Sequence, residues 1–237
     1  EAGKVLYRHA ASLLQEAEQL EKTAAYLASG WEAEVALAAD ALTPTAALLC
    51  GLQAFSSLSP ATRIRLFETT LSGTDEALLT GQVDIAITGR VPPGFLGTPL
   101  LTITMVPVTA TSHPLAQLTT VTEKDLKQQR QIVVRDSGTK REQDVGWLGA
   151  NQRWTVSSFA TSIEAVKAGL GFAFLPRHCV EQLLTEGSLK ILPLQMGTER
   201  SIPLQLVVAN QSNAGPAVQA VAEKLIEKFQ QEVKARR

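Results

Sequence analysis

The stretch EVALAADALTPTAALL, residues 34–49, predicts a buried strand that leads directly into a helix. Residues 34–39 are mostly apolar, as in a strand that is buried on both faces. Thr43 suits the N-cap of the helix, and Pro44 suits its first position because proline has no N–H to lose. This arrangement places unpaired N–H groups and the hydroxyls of Thr43 and Thr45 at one edge of a sheet. Such an edge can bind a small polar or anionic ligand.

Strands and helices alternate along most of the remaining chain. The predicted strands are 34–39, 63–69, 83–88, 98–110, 131–135, 154–157, 171–175, 189–194 and 202–209. The predicted helices are 44–57, 74–79, 123–127, 143–151, 162–170, 177–185 and one from Pro216 with an apolar stripe of Val218, Val221, Ala222, Leu225 and Phe229. At this spacing, strands pair in parallel through right-handed crossovers, so the predicted class is α/β. Because proline is poorly tolerated in a central strand, we expect strand 98–110 to leave the first sheet at Pro107 and enter another, which gives two similar lobes.

A seven-residue repeat precedes this α/β region. Its members are Leu6, Leu13, Leu20 and Leu27, with Gly3, Ala10, Ala17 and Ala24 in the same phase. Such a seam predicts a helix that pairs with a second helix and ends near Gly30, which can adopt a left-handed capping conformation. An amphipathic helix that packs on its own domain is the alternative.

Composition narrows the function classes. The 237 residues are 45% hydrophobic and 19% charged, with a formal net charge of −1, as in an ordinary globular protein. A protein that binds nucleic acid by itself normally has a basic face, so we expect no DNA contact from these residues. Apolar segments fall short of the roughly 20 residues that a membrane span needs, so we expect no membrane association. Cys50 and Cys179 are expected to be buried free thiols in a reducing cytosol.

The candidate ligand site lies at the carboxyl ends of the predicted strands, where parallel α/β sheets bind ligands. The side chains and backbone positions expected there are Thr43, Thr45, Thr69, Thr70, Thr88, Gly89 and Arg90 in the first lobe, and Asp136, Ser137, Gly138, Thr139 and residues 157–161 in the second. Hydroxyls, small residues, one arginine and one aromatic ring suit recognition of a small polar ligand better than catalysis.

Structural explanations compete with binding at several of these positions. Hydroxyls at helix starts also act as caps, and Thr161 with Glu164 fits a capping box. Arg90 suits either a carboxylate ligand or a structural ion pair. Phe159 suits either the core or an apolar wall for the ligand.

Sequence patterns typical of catalysis are missing. GxSxG, GxxxxGK[ST], CxxC, HExxH and GxGxxG do not occur. His9, His113 and His178 fall on separate predicted elements, whereas a metal site needs clustered donors. We therefore expect neither an enzyme nor a metal site, and no cofactor.

Three segments resemble the regulatory domain of LysR-type transcriptional regulators. They are GQVDIAITG at residues 81–89, AVKAGLGFAFLP at residues 165–176, and the connector His113-Pro114-Leu115. The opening segment resembles the linker helix that pairs two subunits in that family. The resemblance implies the fold of type 2 periplasmic binding proteins, in which two Rossmann-like lobes are joined by two crossover strands and preceded by a linker helix. The implied domains are the linker helix 1–29, lobe I at 30–107 and 211–237, and lobe II at 108–210.

The resemblance also implies a function and its partners. A small-molecule effector would bind between the lobes, at Thr43, Thr45, Thr70, Thr88, Gly89, Arg90, Asp136, Ser137, Phe159, Ala160 and Thr161. The lobes would hinge near residues 106–109 and 207–211. The protein would be a cytoplasmic bacterial homodimer or homotetramer, and DNA would bind only through a winged helix-turn-helix outside this chain. A solute-binding protein of a transporter, with the same fold, is the alternative.

Overall fold

A computed structural model describes Ala10, Leu13, Leu14, Ala17, Ala28 and residues 30–139, 147–195 and 199–235. The predicted linker helix 1–29 therefore lies almost wholly outside the described residues, although the five named positions within it are helical. Gly30 has a φ of 85°, the left-handed conformation expected after this segment. Pairing of the segment with a second subunit stays a prediction.

Nine strands form the described sheet. They are β1 Glu34–Asp40, β2 Arg63–Thr69, β3 Ile85–Thr88, β4 Gly97–Ala110, β5 Arg130–Val134, β6 Gln152–Val156, β7 Phe172–Pro176, β8 Leu189–Ile191 and β9 Arg200–Val208. Their order is β2-β1-β3-β9-β4-β7-β5-β6, and β8 pairs with β4. The pairs β1–β2, β1–β3, β5–β6 and β5–β7 are parallel, whereas β9 is antiparallel to β3 and β4. The predicted α/β class is confirmed.

Helices pack against two groups of strands. The first group is β1, β2, β3 and β9, and the second is β5, β6, β7 and β8. The helices are α1 Thr45–Ser56, α2 Ser72–Leu79, α3 Glu123–Lys127, α4 Phe159–Lys167, α5 Arg177–Thr185 and α6 Pro216–Ala235, with a 3-10 turn at Pro114–Gln117. The α6 stripe is buried as predicted, and α6 packs on α1, where a Cβ on Gly51 would lie 2.7 Å from Leu225 Cδ2. Glu32 fixes the start of α6, because its Oε2 accepts a 2.8 Å hydrogen bond from Ala217 N. None of the helices in the described ranges is both long and apolar enough to cross a membrane.

Each group of strands has apolar clusters of its own. Leu37, Ile85 and Phe229 belong to a cluster on one face of the first group, and Ala38 belongs to another around α2. In the second group, Val106, Ile132 and Val180 share one cluster, and Leu126, Phe172 and Leu192 share another. These separate cores account for two lobes.

Strand β4 passes from one lobe to the other. Residues 97–105 pair with β9, and residues 105–109 pair with β7, so the partner changes at Met105. The change comes two residues before Pro107, which remains inside the strand and accepts a hydrogen bond from Leu192 N at 2.8 Å. A hinge at this crossing is consistent with the predicted range 106–109.

The second predicted hinge, 207–211, is wrong. Val207 pairs with Ala86 of β3 and Gly97 of β4, so it lies within the first lobe. The chain returns to this lobe before Arg200, where β9 begins. The lobe boundaries stay a prediction, and this pairing favours ending the second lobe before Arg200 instead of at residue 210.

Several local predictions are also corrected. Pro44 is the N-cap of α1, and Thr43 makes no capping bond, because its hydroxyl is buried without a partner. Residues 147–150 of the predicted helix 143–151 have no regular structure, and residues 140–146 lie outside the described residues. Cys50 is exposed on α1 and Cys179 is half-buried, so the expectation of two buried thiols is wrong.

Candidate functional site

A cavity of about 330 Å³ opens between the two lobes. From the first lobe come Asp40 at the end of β1, Thr70 and Leu71 after β2, and Ile202 on β9. The second lobe contributes β5, α4, β7 and the segment around Trp147. The full lining is Asp40, Leu42, Thr70, Leu71, Met105, residues 131–134, Trp147, Leu148, Phe159, Ser162, Phe174, Leu194, Glu199, Arg200 and Ile202. The cavity therefore occupies the inter-lobe cleft predicted from the sequence.

Most of the cavity wall is apolar. Trp147 packs on Phe172 with ring centroids 6.0 Å apart, and Phe172 packs on Phe174 at 6.3 Å. Leu71, on the opposite side, has a φ of 51°, an unusual conformation for a side chain other than glycine. A wall of this kind holds the apolar body of a ligand, and the few polar groups fix its orientation.

Asp40 is the buried charged group of the cavity. It is 5% exposed; its Oδ1 accepts from Leu42 N at 2.9 Å, and its Oδ2 accepts from Leu71 N at 3.3 Å. Burial raises the pKa of Asp40 from 3.8 to about 6; the two backbone hydrogen bonds oppose this rise, and the charges of Asp75 and Asp136 add to it. Asp40 is therefore mostly ionised at neutral pH and close to titration.

Gln131 and Ser162 carry polar atoms without partners in the cavity lining. Gln131 is 3% exposed, and its Nε2 donates to Trp147 O at 2.7 Å, which leaves Oε1 buried and unbonded. Ser162 is fully buried, and its Oγ is also unbonded. Buried polar atoms normally have a hydrogen-bond partner, so these two atoms are candidate positions for ligand contacts. Sequence reasoning missed both because they lie inside β5 and α4, away from the strand ends.

The structure brings some of the predicted site residues to the cavity and not others. Thr70 and Phe159 line it, and Asp136 and Ser137 contact the segment after β2. The remaining predicted residues do not line it; they are Thr43, Thr45, Thr88, Gly89, Arg90, Ala160 and Thr161. Binding by any of the predicted residues stays a prediction.

Three of these remaining residues, Thr88, Arg90 and Thr161, make local contacts that have structural explanations. Thr88 Oγ1 donates to Arg90 O at 2.8 Å and accepts from Arg90 N at 3.1 Å. Arg90 Nη2 lies 3.9 Å from Asp75 Oδ2, which matches the ion-pair alternative. Ser158 caps α4 by accepting from Thr161 N at 3.2 Å, so the capping box predicted to begin at Thr161 is wrong.

Two segments form a bridge across the cleft, residues 70–76 from the first lobe and residues 136–139 from the second. Thr70 N donates to Ser137 Oγ at 2.7 Å, and Ser72 Oγ donates to Asp136 Oδ2 at 2.6 Å. Thr139 N and Oγ1 donate to the Glu76 carboxylate at 2.8 and 2.7 Å. We call this contact the inter-lobe bridge. It holds the lobes together on one side of the cavity.

The sequence also matches a family of known proteins. Residues 28–230 match the family model described as the LysR substrate binding domain. The chain belongs to this family. The uncharacterized HTH-type transcriptional regulator YeeY of Escherichia coli (strain K12) is 31% identical over 193 residues, which cover 79% of the chain and 62% of YeeY. The chain thus spans less than two thirds of the length of this relative.

Solved structures of LysR regulators share the fold. The CcmR regulatory domain of Synechocystis PCC6803, in complex with 2-PG, has a TM-score of 0.64 at 15% identity and covers 83% of this chain and 97% of that one. Full-length LysG from Corynebacterium glutamicum, with bound effector Arg, has a TM-score of 0.66 at 19% identity and covers 97% of this chain and 78% of that one. The predicted two-lobed fold is confirmed, and the LysR family is favoured over a solute-binding protein.

The glycines and the aspartate of the LysR-like sequence motifs have structural roles outside the cavity, whereas Phe174 of the second motif lines it. In GQVDIAITG, Gly81 has a φ of 68°, and Asp84 Oδ2 accepts from Ala36 N at 2.8 Å, which ties the approach to β3 to β1. In AVKAGLGFAFLP, Gly169 has a φ of 74° after α4. A Cβ on Gly171 would overlap the carbonyl of Arg130. These motifs identify the fold without identifying the ligand.

Proposed function

We propose that this chain is the effector-sensing part of a LysR-type transcriptional regulator and that its effector binds in the inter-lobe cavity. The observation that carries the proposal is the pair of unbonded, buried polar atoms, Gln131 Oε1 and Ser162 Oγ, in an otherwise mostly apolar cavity between two lobes. A ligand there would supply the missing hydrogen bonds. The ligands named for CcmR and LysG, 2-PG and Arg, support small-molecule sensing in related folds but differ in charge.

The proposed mechanism is a shift between two lobe arrangements. A ligand that contacts β1 in one lobe and β5 and α4 in the other stabilises the arrangement in which both sets of contacts exist. The bridge between Thr70 and Ser137 belongs to the same arrangement, so ligand and bridge reinforce one another. Couplings of this kind amount to about 1 to 3 kcal/mol, and the resulting motion would alter the geometry of a homodimer or homotetramer.

Further proposals concern the whole protein. DNA would bind through a winged helix-turn-helix domain outside this chain, as the name of YeeY suggests for that relative. The regulator would act in the bacterial cytoplasm and would bind its effector without converting it. Turnover of any ligand that binds would contradict this last point.

A thermal-shift screen of the purified chain against a small-metabolite library tests effector binding. The library should contain equal numbers of cations, neutral polar molecules and anions. At least one compound is expected to raise the melting temperature in proportion to the logarithm of its concentration. A library without a single such compound would contradict effector sensing in this cavity.

The variant Ser162→Ala tests whether the compound binds in the cavity. Because Ser162 Oγ has no partner, its removal should leave the free energy of unfolding unchanged or slightly higher, while ligand affinity falls about five- to tenfold. Ser157→Ala, an exposed position five residues earlier that does not line the cavity, is the matched control and should leave affinity unchanged. Isothermal titration calorimetry with the strongest compound measures both. Equal affinities for the two variants would place the ligand elsewhere.

A further inference from the structure

We propose that the effector presents hydrogen-bond donors, foremost an ammonium group, to the first-lobe side of the cavity, and that anionic molecules of the same size are rejected. This inference rests on the proposed function and specifies its ligand class. Of the polar or anionic ligand expected from the sequence, it removes the anionic alternative, because Arg90 does not line the cavity and Asp40 does.

Gln131 provides the first argument. Its amide orientation is fixed, because Nε2 donates to Trp147 O at 2.7 Å and a reversed amide would place two acceptor oxygens against each other. The free end is therefore the carbonyl oxygen, on a side chain that is only 3% exposed. An acceptor can be satisfied only by a donor. A ligand carboxylate or phosphate at this position would leave it unbonded.

Asp40 provides the second argument. Each of its oxygens accepts one backbone N–H, whereas a carboxylate offers about four lone-pair sites. Asp75 and Asp136 add negative charge nearby, and Arg90 lies against Asp75 instead of Asp40. The described residues thus leave the buried Asp40 charge without a cationic partner. A ligand ammonium would supply one, and a ligand anion would be repelled.

The charged residues at the rim do not reverse this preference. Arg200 lines the cavity but is exposed, and the neighbouring Glu199 carboxylate lies 3.3 Å from Arg177 Nη1. Water screens an exposed charge far more than a buried one, so Asp40 dominates inside the cavity. A metal ion is a poor alternative, because no three His, Cys, Asp or Glu side chains within the described ranges are placed to hold one.

The aromatic wall fits the same ligand class. Trp147, Phe159 and Phe174 line the cavity, and aromatic faces attract cations as well as apolar groups. Ser162 Oγ can accept or donate, so it suits a second polar group on the ligand. The expected effector is an amine or a similar donor-rich molecule with an apolar body.

Three probes of similar size separate the ligand classes: 2-phenylethylamine, 2-phenylethanol and 3-phenylpropionate. Calorimetry at pH 7.5 should give the amine at least about tenfold higher affinity than the carboxylate, with the alcohol between them. In Asp40→Asn, amine affinity should fall about tenfold and alcohol affinity should change less than twofold. Amine affinity for the unsubstituted chain should also fall about tenfold from pH 7.5 to 5, because Asp40, with a pKa of about 6, becomes protonated.

Each result bears on a separate claim. Tightest binding by 3-phenylpropionate, or an amine preference that survives in Asp40→Asn, would overturn the ligand class and leave effector sensing intact. If none of the probes binds, the ligand class is decided by the charge of the compounds found in the library screen, and a majority of anions would overturn it. Failure of both the probes and the library would overturn effector sensing itself.

Discussion

Asp40→Asn is expected to stabilise the chain at pH 7.5 and to stabilise it only about a third as much at pH 4.5. In the folded chain, burial raises the pKa of Asp40 from 3.8 to about 6, so between these values the folded state keeps a proton that the unfolded state has lost. The stability contributed by Asp40 is therefore full below pH 4 and is lost as the pH rises through 6. A rise of this size corresponds to about 3 kcal/mol, which is an upper estimate of the gain from asparagine at pH 7.5.

Urea denaturation of both proteins at the two pH values measures this effect. Asp125→Asn is a control of opposite sign. Hydrogen bonds from the Thr122 side chain and backbone lower the pKa of Asp125, so its contribution is present at neutral pH and is lost in acid. Asp125→Asn should thus destabilise the chain at pH 7.5 and have less effect at low pH. A pH-independent difference between Asp40→Asn and the unsubstituted chain would show that Asp40 is not the buried charge described here.

Gly138→Ala is expected to separate the lobes without unfolding either one. A Cβ on Gly138 would overlap Ser72 Oγ and lie 3.2 Å from Gly73 N across the inter-lobe bridge. Ser72 Oγ must rotate away from Asp136 and the two backbone segments must move apart by a few tenths of an ångström, which removes or weakens the bridge hydrogen bonds. Since each such bond contributes about 1 kcal/mol, ligand affinity should fall more than tenfold, and the melting temperature should fall by about 2 to 4 °C for each lost bond.

Fluorescence energy transfer measures the lobe separation directly. Cys50 is exposed on the first lobe, and a second label can be attached at Arg153→Cys on β6. Burial raises the pKa of the Cys179 thiol to about 11, so it reacts slowly at neutral pH, and Cys179→Ser removes the remaining background. Transfer efficiency should fall in Gly138→Ala.

Two further variants separate overlap from loss of hydrogen bonds. Ser72→Ala combined with Gly138→Ala removes the oxygen that the new Cβ would overlap, so it should recover part of the transfer efficiency. Ser137→Ala removes bonds to Thr70 without adding bulk, and its effect on affinity should be several times smaller than that of Gly138→Ala. Unchanged transfer efficiency in Gly138→Ala would contradict a closed cleft held by this bridge.

The elements could be predicted from the sequence because their signals are local. The alternation of Ile64 and Leu66 with Arg63 and Arg65 is typical of a strand and matches β2, and the Pro216 start with its apolar stripe places α6. The prediction of a helix at 143–151 failed for residues 147–150, since Trp147 packs on Phe172, a long-range contact that local propensity does not contain. For the same reason, Pro107 predicts only approximately where β4 changes from pairing with β9 to pairing with β7. The change occurs at Met105 and depends on strands distant in sequence.

The candidate cavity was harder to predict than the fold. Of the residues expected at strand ends, Thr70 and Phe159 line the cavity, because parallel strands present their carboxyl ends together. Gln131 and Ser162 could not be found in this way, because what distinguishes them is burial without a partner, which depends on the packed structure. Asp40 stood one residue beyond the predicted strand, and its importance comes from desolvation by residues distant in sequence.

The hydrogen bond from Ala217 N to Glu32 determines how motion can be transmitted along the chain. Glu32 lies two residues after Gly30, and α6 packs on α1. Residues 30–32 and α6 are therefore expected to move together with the first lobe. Cleft closure is thus expected to displace the second lobe relative to Gly30 and Glu32. Hydrogen exchange at Ala217 N should stay equally slow with and without ligand. Faster exchange on ligand binding would show that the hydrogen bond between Ala217 N and Glu32 breaks when the cleft closes.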